Sequence, residues 1–467
     1  MTLVAGVDCS TQATKVVVCD ADSGVVVRQG RTAHPDATEV DPRVWWQAWR
    51  GASDRLLTDV SAIGVAGQQH GMVLLDDAGE PVRQALLWND NRSAPQAADL
   101  VTEMGGPRVW AERTGVVPVA SFTVTKLRWV AEHEPETASR AAEVLLPHDW
   151  LTHRLRADGG APTTDRGEAS GTGYWSPREH RYLPDLLEQA FGRGLNTPRV
   201  AAPQEPVGET ADGALLAPGT GDNMAAALAL GLQPGDVTVS LGTSGTVFAV
   251  SDVPTADPSG IVAGFADATG RFLPLVCTLN AARVLGAATS MAGASFADLD
   301  RLALSVPHSD GLVLLPFLDG ERTPPLPDAS GVVHGLTRRN ATPAHLVRAA
   351  VEGMLCALAD AVEALHDSAG RPRRILLIGG AARSEAVQQI AAALFGLPLS
   401  VPEPGEYVAL GAARQAAWAL TGASTPPDWP MAQHTVHPEE DSTATARTTR
   451  ARYRSVLANA TPLLRHP

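Results

Sequence analysis

Two short hydroxyl-rich segments have the composition of phosphate-binding turns. Each lies between two runs of β-branched residues, a pattern that predicts two strands joined by a tight turn. Residues 8–15 include Thr11 and Gln12, and residues 241–246, about half a chain further on, include Gly242 and Thr243. Such a turn directs successive backbone N–H groups and hydroxyls toward one point, which suits a phosphate. We therefore expect two related halves that face each other across one nucleotide.

Asp8 and Lys15 add charge to the first segment. A carboxylate at a strand end beside phosphates can hold Mg²⁺, usually through water. An Asp that only bonds to its own turn is the structural alternative, and the repeated segment together with Lys15 favours the metal site. Lys15 is one of two lysines in the chain (the other is Lys126), and its compact ammonium group suits a phosphate.

Asp222 has the setting of a general base. It follows the glycine-rich residues 219–221 and precedes the apolar, alanine-rich run 224–230, which is a strong helix former. We therefore place Asp222 or Asn223 at a helix N-cap, where the helix dipole stabilises an ionised carboxylate. Capping alone, worth about 1 kcal/mol, is the structural alternative. The two roles are compatible.

Two clusters of hydrogen-bonding side chains predict contact with a polyol. Residues 67–71 follow an apolar strand and hold two amides and an imidazole between glycines, while residues 88–92 combine an aromatic ring with polar groups. Such groups suit hydroxyls better than an apolar ligand. A structural histidine and a solvated turn are the alternatives. The predicted sugar-binding residues are Gln69, His70, Trp88, Asp90 and, beside the base, Asn223.

Two further segments carry weaker signals. Gly379 and Gly380 follow an apolar strand that we place at residues 374–378, and Ser384 precedes a predicted helix. Backbone N–H groups at such a helix start can meet a phosphate or a nucleoside, although a glycine pair after a strand is common. Residues 316–324 form a polar turn after a strand and indicate no function by themselves.

Strands and helices alternate in both halves, which indicates an α/β fold. A chain of 467 residues is too long for one core, so we expect two domains, of about 200–250 residues each. We place them at residues 1–235 and 236–467. The main predicted helices are residues 44–57, 183–191, 280–291, 343–369, 385–395, 410–420 and 452–464.

Composition excludes several classes of partner. The net charge of −14 argues against nucleic acid and anionic membranes. The four cysteines form no C-x-x-C pair, so they indicate neither a disulfide framework nor a zinc site and fit a reducing cytoplasm. The N-terminus lacks the features of a secretory signal, and no apolar run reaches the ~20 residues that span a bilayer. The long helices of the second half suggest a homodimer.

Two long patterns resemble the signatures of the FGGY carbohydrate kinases. The first combines Ser121, Thr123, Lys126–Leu127, Trp129–Val130 and Glu132–His133. The second combines Gly331, Val333, Gly335–Leu336, His345–Leu346 and Ala349–Glu352. The resemblance extends from residue 3 to about residue 420. The motifs at residues 67–71, 88–92, 240–245 and 320–324 are most similar to those of the family branch that acts on D-xylulose.

The resemblance implies two actin-like (ribonuclease H-like) ATPase domains with a cleft between them. It implies sugar binding in the first domain and nucleotide binding in the second. Asp222 would accept the proton of a sugar hydroxyl, and Mg-ATP would lie against Asp8, both phosphate turns and the Gly379–Gly380 pair. The implied reaction is ATP-dependent phosphorylation of D-xylulose. A kinase for another ketose or a sugar alcohol, and a non-catalytic ATP- and sugar-binding sensor, are the alternatives.

Three positions depart from the family pattern. Cys9–Ser10 stands where many members have a glycine before the Thr, which changes the detail of phosphate contact. Ala381 replaces a common third glycine, and Pro325 stands where a histidine is frequent. None of these positions carries the predicted base or the predicted metal ligand.

Overall fold

The computed structural model describes residues 1–464, without the side chain of Asp441. The strands, numbered in chain order, are β1 Leu3–Cys9, β2 Ala13–Asp20, β3 Val26–Ala33, β4 Glu39–Val40, β5 Val60–Gly67, β6 Val73–Leu75, β7 Ala85–Leu86, β8 Glu143–Leu145, β9 Thr163–Thr164, β10 Trp175–Ser176, β11 Arg181–Tyr182, β12 Arg199–Val200, β13 Gly208–Glu209, β14 Leu215–Leu216, β15 Thr220–Gly221, β16 Asp236–Leu241, β17 Gly245–Ala249, β18 Ala263–Ala266, β19 Phe272–Thr278, β20 Val313–Leu315, β21 Val332–His334, β22 Arg374–Ile378, β23 Leu399–Pro402 and β24 Gln433–Val436.

The α-helices are α1 Arg43–Ser53, α2 Ala94–Glu103, α3 Pro107–Thr114, α4 Thr123–His133, α5 Pro135–Arg140, α6 Pro147–Leu155, α7 Arg166–Ser170, α8 Pro184–Phe191, α9 Asp222–Ala229, α10 Ala282–Met291, α11 Leu299–Leu304, α12 Pro343–Ala364, α13 His366–Ala369, α14 Glu385–Phe395, α15 Tyr407–Thr421 and α16 Glu440–Leu464. Two 3₁₀ turns cover Phe296–Asp298 and Gly380–Arg383. Within residues 1–464, none of the helices combines the length and apolar character that crossing a bilayer requires.

The chain forms two compact units, each assembled from separate segments. The first unit consists of Met1–Leu232, Ser251–Pro274 and Gly405–Pro430. The second consists of Gln233–Val250, Leu275–Pro404 and the described residues from Met431 onward. The predicted assignment of sugar binding to residues 1–235 and of nucleotide binding to residues 236–467 stays a prediction.

The first unit is built on a sheet whose strand order is β13-β14-β5-β1-β2-β3. β1 pairs antiparallel with β2 and parallel with β5. β2 pairs antiparallel with β3, and β14 pairs parallel with β5. β1 and β5 are buried along almost their whole length, as the apolar runs in their sequences predict for strands covered on both faces.

The second unit repeats this arrangement. Its sheet contains the order β19-β17-β16-β22-β23, with antiparallel pairing of β16 with β17 and of β17 with β19, and parallel pairing of β16 with β22 and of β22 with β23. Strand order and direction therefore correspond one to one with β3-β2-β1-β5-β14. Both predicted strand-turn-strand segments are confirmed, and they occupy equivalent places in two related sheets.

Glycines bring α15 into direct backbone contact with the first sheet. A Cβ added to Gly6 on β1 would lie 1.8 Å from the carbonyl oxygen of Ala409, and one added to Gly64 on β5 would lie 2.2 Å from that of Ala412. On the other side of the helix, a Cβ on Gly411 would lie 1.8 Å from the carbonyl oxygen of Ala225 in α9. Close approach of this kind requires glycine. The helix thus fixes α9, which begins at Asp222, against the sheet.

Several predicted helix limits are wrong. The last helix begins at Glu440 rather than at residue 452. The sequence pattern missed its early turns because they are rich in Thr and Arg and bury few apolar side chains. The predicted helix 343–369 is divided after Ala364, and a short separate helix follows. The first helix ends at Ser53 rather than at residue 57. The strand Arg374–Ile378 and the helix Glu385–Phe395 have the predicted limits.

Candidate functional site

Three neighbouring strand ends bring the predicted residues of the first unit together. Asp8 on β1 lies opposite Ala66 on β5, and Thr220 on β15 pairs with the same Ala66. The strands end here: Gln69 and His70 are the second and third residues after β5, and Asp222 directly follows β15. Since neighbouring strands lie about 4.8 Å apart, the predicted metal ligand, sugar residues and base share one edge of the sheet.

Asp222 is the first residue of α9, and Gly221 is its N-cap. The predicted capping role is therefore wrong by one position, because Gly221 already has extended backbone angles and β15 continues to it. The Asp222 carboxylate accepts hydrogen bonds from the backbone N–H of Asn223 at 2.7 Å and from Asn223 Nδ2 at 2.8 Å. Burial raises the pKa of Asp222 to about 7, against the lowering effect of the Asn223 bonds. A carboxyl group with such a pKa can exchange a proton near neutral pH.

Asp8 is the buried member of an ion-pair network whose other two members, Lys15 and Glu406, are partly exposed. Lys15 Nζ is 3.5 Å from Asp8 Oδ2 and 2.6 Å from Glu406 Oε2. Glu406 is the residue before the start of α15. Burial raises the pKa of Asp8, and the charge of Lys15 opposes that shift. Burial alone would lower the pKa of Lys15, but Asp8 and Glu406 raise it overall, so the ammonium group stays charged. Glu406 lies 391 residues from Lys15 in sequence, and no motif marks it.

The environment of Asp8 fits a magnesium ion. Its Oδ1 atom is buried and has no hydrogen-bond partner among the described residues, although Asp8 is only 2% exposed. Within residues 1–464, no group of three or more His, Cys, Asp or Glu side chains could hold a metal. One carboxylate that acts through water, with nucleotide phosphates as the other ligands, is a usual arrangement for Mg²⁺.

Gln69 and Asn223 connect the sugar segment with the base. Asn223 Nδ2 lies 3.5 Å from Gln69 Oε1, at the outer limit of a hydrogen bond. Gln69 Nε2 is buried without a partner among the described residues, and so are both amide atoms of Gln68. Buried amide atoms are nearly always hydrogen-bonded, so these groups are suited to the hydroxyls of a ligand.

His70 is held by its neighbours in an unusual backbone conformation. Its φ angle is 67°, a left-handed conformation that a non-glycine residue adopts at a cost and often at functional sites. Nδ1 lies 2.6 Å from the carbonyl oxygen of Gly171. In the neutral ring Nδ1 therefore carries the proton and donates it, which makes Nε2 an acceptor. The ring packs against Phe122 and Phe265, with centroids 4.5 Å and 5.6 Å away.

Trp88 and Asp90, the predicted sugar residues of the segment 88–92, make different kinds of contact. Trp88 Nε1 donates to Thr11 Oγ1 at 2.7 Å, so the ring lies beside the first phosphate turn. Asp90 instead accepts hydrogen bonds from Arg92 and from Thr38. Burial opposes ionisation of Asp90, but the bonds from Arg92 outweigh it and lower its pKa. These contacts favour a structural role for Asp90, and its sugar contact stays a prediction.

Two exposed turns of the second unit carry the remaining predicted nucleotide residues. Gly242 and Thr243 join β16 to β17, and Gly379 and Gly380 follow the parallel neighbour β22. Gly379 has a φ of +97°, and a Cβ there would lie 2.5 Å from the carbonyl oxygen of Leu241. Glycine is thus required where the two turns meet at the same end of the sheet.

The two remaining predicted nucleotide residues, Ser384 and Gln12, lie outside the two turns of the second unit. Ser384 is the N-cap of α14, where its hydroxyl accepts from Val387 N at 3.1 Å and donates to Asp300. Asp300 also accepts from the N–H of Ala386, so a carboxylate of the protein already occupies the start of this helix. Gln12 is exposed on the first phosphate turn. Nucleotide contact by either residue stays a prediction.

Glu168 is a neighbour of the base that sequence reasoning missed. It is 0% exposed, and neither carboxyl oxygen has a hydrogen-bond partner among the described residues. A Cβ on Gly221, the residue before Asp222, would lie 3.0 Å from Glu168 Oε1. Burial first, and then the charges of Asp149, Asp165 and Asp222, hold the pKa of Glu168 well above its usual value. No sequence motif distinguishes it from a surface glutamate.

Glu168→Gln is expected to raise stability more at about pH 8 than at about pH 5. Because the pKa is raised in the folded state, folded Glu168 keeps a proton that the unfolded chain releases above about pH 4.3. The free energy of unfolding of the wild type therefore falls as pH rises, and Gln removes that loss. Tm values at both pH values measure the effect. Glu136→Gln, on the exposed surface of α5, is the control, and an equal Tm change at both pH values contradicts the prediction.

The class of protein follows from comparison with known families. Residues 3–228 match the N-terminal domain of the FGGY family of carbohydrate kinases, and residues 237–420 match its C-terminal domain. The chain therefore belongs to the FGGY family of carbohydrate kinases and is a phosphotransferase. The predicted family and its two-domain α/β fold are confirmed.

Within this family, the chain is similar to several xylulose kinases. The chain is 48% identical over 481 aligned positions to the xylulose kinase of Streptomyces coelicolor, covering 99% of this chain and 97% of that protein. It is 36% identical to the xylulose kinase of Escherichia coli, covering 88% and 89%. The crystal structure of xylulose kinase from Bifidobacterium adolescentis superposes with a TM-score of 0.86 at 42% identity, covering 96% and 99%.

Proposed function

We propose that the protein transfers the γ-phosphoryl group of ATP to D-xylulose, giving D-xylulose 5-phosphate and ADP. The observation that carries this proposal is similarity to xylulose kinases over nearly the whole chain, at 48% identity in one case. The arrangement of Asp222 beside Gln69 and Asn223 supports it. A half-buried carboxylate among amide groups suits a polyol hydroxyl that must lose a proton.

Asp222 is the general base in this proposal. Its carboxylate accepts the proton of the terminal hydroxyl while that oxygen bonds to the γ-phosphorus, and the bond between the γ-phosphorus and the bridging oxygen breaks to release ADP. Phosphoryl transfer has a loose transition state, in which positioning and charge stabilisation supply most of the catalysis. The two hydrogen bonds from Asn223 fix the carboxylate in place.

The nucleotide contacts are assigned to both phosphate turns. Thr11 on the first turn, Lys15 on β2 beside it, and Gly242 and Thr243 on the second turn supply hydroxyl, ammonium and N–H donors. Gly379 and Gly380 supply a surface without side chains beside the second turn. Asp8 would hold Mg²⁺ through water, and the ion would neutralise charge on the phosphate oxygens. The positive charge of Lys15, which is paired with Asp8 and Glu406, offsets the negative charge of these two carboxylates.

His70→Ala is expected to raise the KM for the sugar about 3- to 10-fold with little change in kcat. Loss of one hydrogen bond to a ligand is worth about 0.5–1.5 kcal/mol. In the proposed function His70 binds the sugar and does not accept the proton, so kcat changes little. Because φ is 67° at this position, His70→Asn, which tolerates that conformation, separates the loss of the ring from backbone strain.

Steady-state kinetics with varied sugar at saturating ATP measure the effect. His133→Ala is the control, because His133 is exposed on α4 and stacks on Trp129. An unchanged sugar KM in both His70 variants removes His70 from the sugar site. A Tm loss shared by both variants and the control would not affect that conclusion, since KM is measured on folded enzyme.

The proposed function is tested by ADP release with Mg-ATP across D-xylulose, D- and L-ribulose, L-xylulose, glycerol and gluconate. The expected response is led by D-xylulose. A response led by another polyol keeps the kinase mechanism and replaces the substrate. No response to any of these sugars favours the non-catalytic sensor. Gel filtration and fractionation test the homodimer and the cytoplasmic location, which stay predictions.

A further inference from the structure

The Gly-Glu-Arg-Thr-Pro turn at residues 320–324 contains a buried carboxylate with an unusual number of donors. Glu321 is 1% exposed. Its Oε1 accepts hydrogen bonds from the backbone N–H of Leu279 at 2.6 Å and of Arg322 at 2.8 Å, and Oε2 accepts from Asn280 Nδ2 at 3.0 Å. Bonds to a charged acceptor are about twice as strong as neutral ones. Glu321 therefore fixes residues 279–280.

Further contacts tie the same segment to the turn. Asn280 Nδ2 also donates to the carbonyl oxygen of Gly320 at 2.7 Å. Thr323 Oγ1 donates to the carbonyl oxygen of Cys277 at 3.0 Å. Thr323 thus holds the end of β19, and Glu321 holds the residues between β19 and α10.

The segment held in this way fixes the second phosphate turn. The N–H of Ala282, the first residue of α10, donates to the carbonyl oxygen of Gly242 at 3.0 Å, and the N–H of Ala281 donates to that of Thr243 at 3.3 Å. In a trans peptide the C=O and the N–H of the next residue point in opposite directions. With both carbonyls directed at α10, the N–H groups of Thr243 and Ser244 point to the opposite side.

We propose that Glu321 is a positioning residue for the nucleotide phosphates. It holds residues 279–282, which in turn orient the peptides of residues 242–244 so that their N–H groups bind a nucleoside triphosphate. This inference rests on the proposed function, because Gly242 and Thr243 are nucleotide residues only there. All of its contacts lie within the second unit.

Glu321→Gln is expected to raise the KM for ATP about tenfold and to leave the KM for the sugar within twofold. The variant keeps the size of the side chain but replaces one acceptor by an NH₂ donor. The bonds with Leu279 N and with Asn280 Nδ2 then cannot both be made, so the phosphate turn loses its fixed orientation. A tenfold change in affinity corresponds to about 1.4 kcal/mol.

The test measures both KM values, and calorimetry measures MgADP binding in the absence of sugar. Glu352→Gln is the matched control, a second buried glutamate of the same unit that pairs with Arg348 at 2.7 Å. It is expected to lower Tm without changing either the KM for ATP or MgADP affinity. If Glu321→Gln does not fold, Asn280→Ser, which removes one donor to Glu321, is expected to give a smaller rise in the KM for ATP alone.

The outcomes are distinguishable. A folded Glu321→Gln variant, or Asn280→Ser in its place, with wild-type MgADP affinity overturns the inference. Equal rises in both KM values show a general loss of structure and also overturn it. A wild type that binds MgADP but releases no ADP with any sugar contradicts the proposed function alone, and the calorimetric comparison still decides the role of Glu321.

Discussion

Asp222→Asn is expected to lower kcat by about 10² or more while the KM for the sugar changes little. General-base catalysis contributes about 10²–10⁴-fold, and Asn cannot accept the hydroxyl proton. The substitution keeps an acceptor for the bonds from Asn223 N and Nδ2, so the start of α9 stays in place. Steady-state kinetics at saturating Mg-ATP give both parameters.

The dependence of the reaction rate on pH gives a second test of Asp222 as the base. Since burial raises the pKa of Asp222 to about 7, the base is protonated and inactive below that pH. We expect kcat/KM of the wild type to fall about tenfold per pH unit below about pH 7. In Asp222→Asn this acidic limb is expected to disappear, because the residual rate no longer depends on that carboxylate.

Asp267→Asn is the matched control for this prediction. Asp267 is a buried carboxylate of the same unit that accepts from the backbone N–H of Thr269 and Arg271 in its own turn. Its replacement is expected to lower Tm and to leave kcat within about threefold. If Asp222→Asn retains near-normal kcat in an active preparation, Asp222 is not the base. An acidic limb that persists in the variant would assign the titration to another group.

Local patterns in the sequence were enough to predict the α/β class and both strand-turn-strand segments, whereas the kinase fold followed from the family resemblance. Both strand-turn-strand segments are correct because β-branched runs and Gly/Ser/Thr turns determine hairpins locally. Arg374–Ile378 and Glu385–Phe395 have the predicted limits because a buried apolar run and a capping serine mark them. The start of α16 was missed because polar helical turns that bury few apolar side chains, such as Ala446, have no local signal.

The site was predictable only where its residues follow strand ends. Asp8, His70 and Asp222 lie at the same edge of the sheet because the register of β1, β5 and β15 aligns the ends of these strands. Glu406, Glu168 and the glycine contacts of α15 come from distant segments. No composition or spacing connects Lys15 with a carboxylate 391 residues away. Such contacts depend on tertiary packing, which a single sequence does not display.

Gly411→Ala is expected to destabilise the protein by about 3 kcal/mol or more. A Cβ at this position would lie 1.8 Å from the carbonyl oxygen of Ala225, 2.5 Å from its carbonyl carbon and 2.9 Å from its Cα. These are backbone atoms, which cannot rotate away as a side chain can, so α15 and α9 must separate. Overpacking of a dense core costs about 1–3 kcal/mol or more. Because α9 begins at Asp222, kcat is expected to fall as well.

Gly286→Ala is the matched control for this second prediction. Gly286 lies inside α10, and a Cβ there would meet no atom within 4 Å. Alanine in a helix interior is about 0.5–1 kcal/mol more favourable than glycine, so this variant is expected to raise Tm slightly and to keep full activity. Thermal unfolding of the two variants beside the wild type measures the difference. A Gly411→Ala variant that unfolds at the wild-type temperature would show that α15 and α9 can separate without loss, and would contradict a fixed backbone contact as the support of the base.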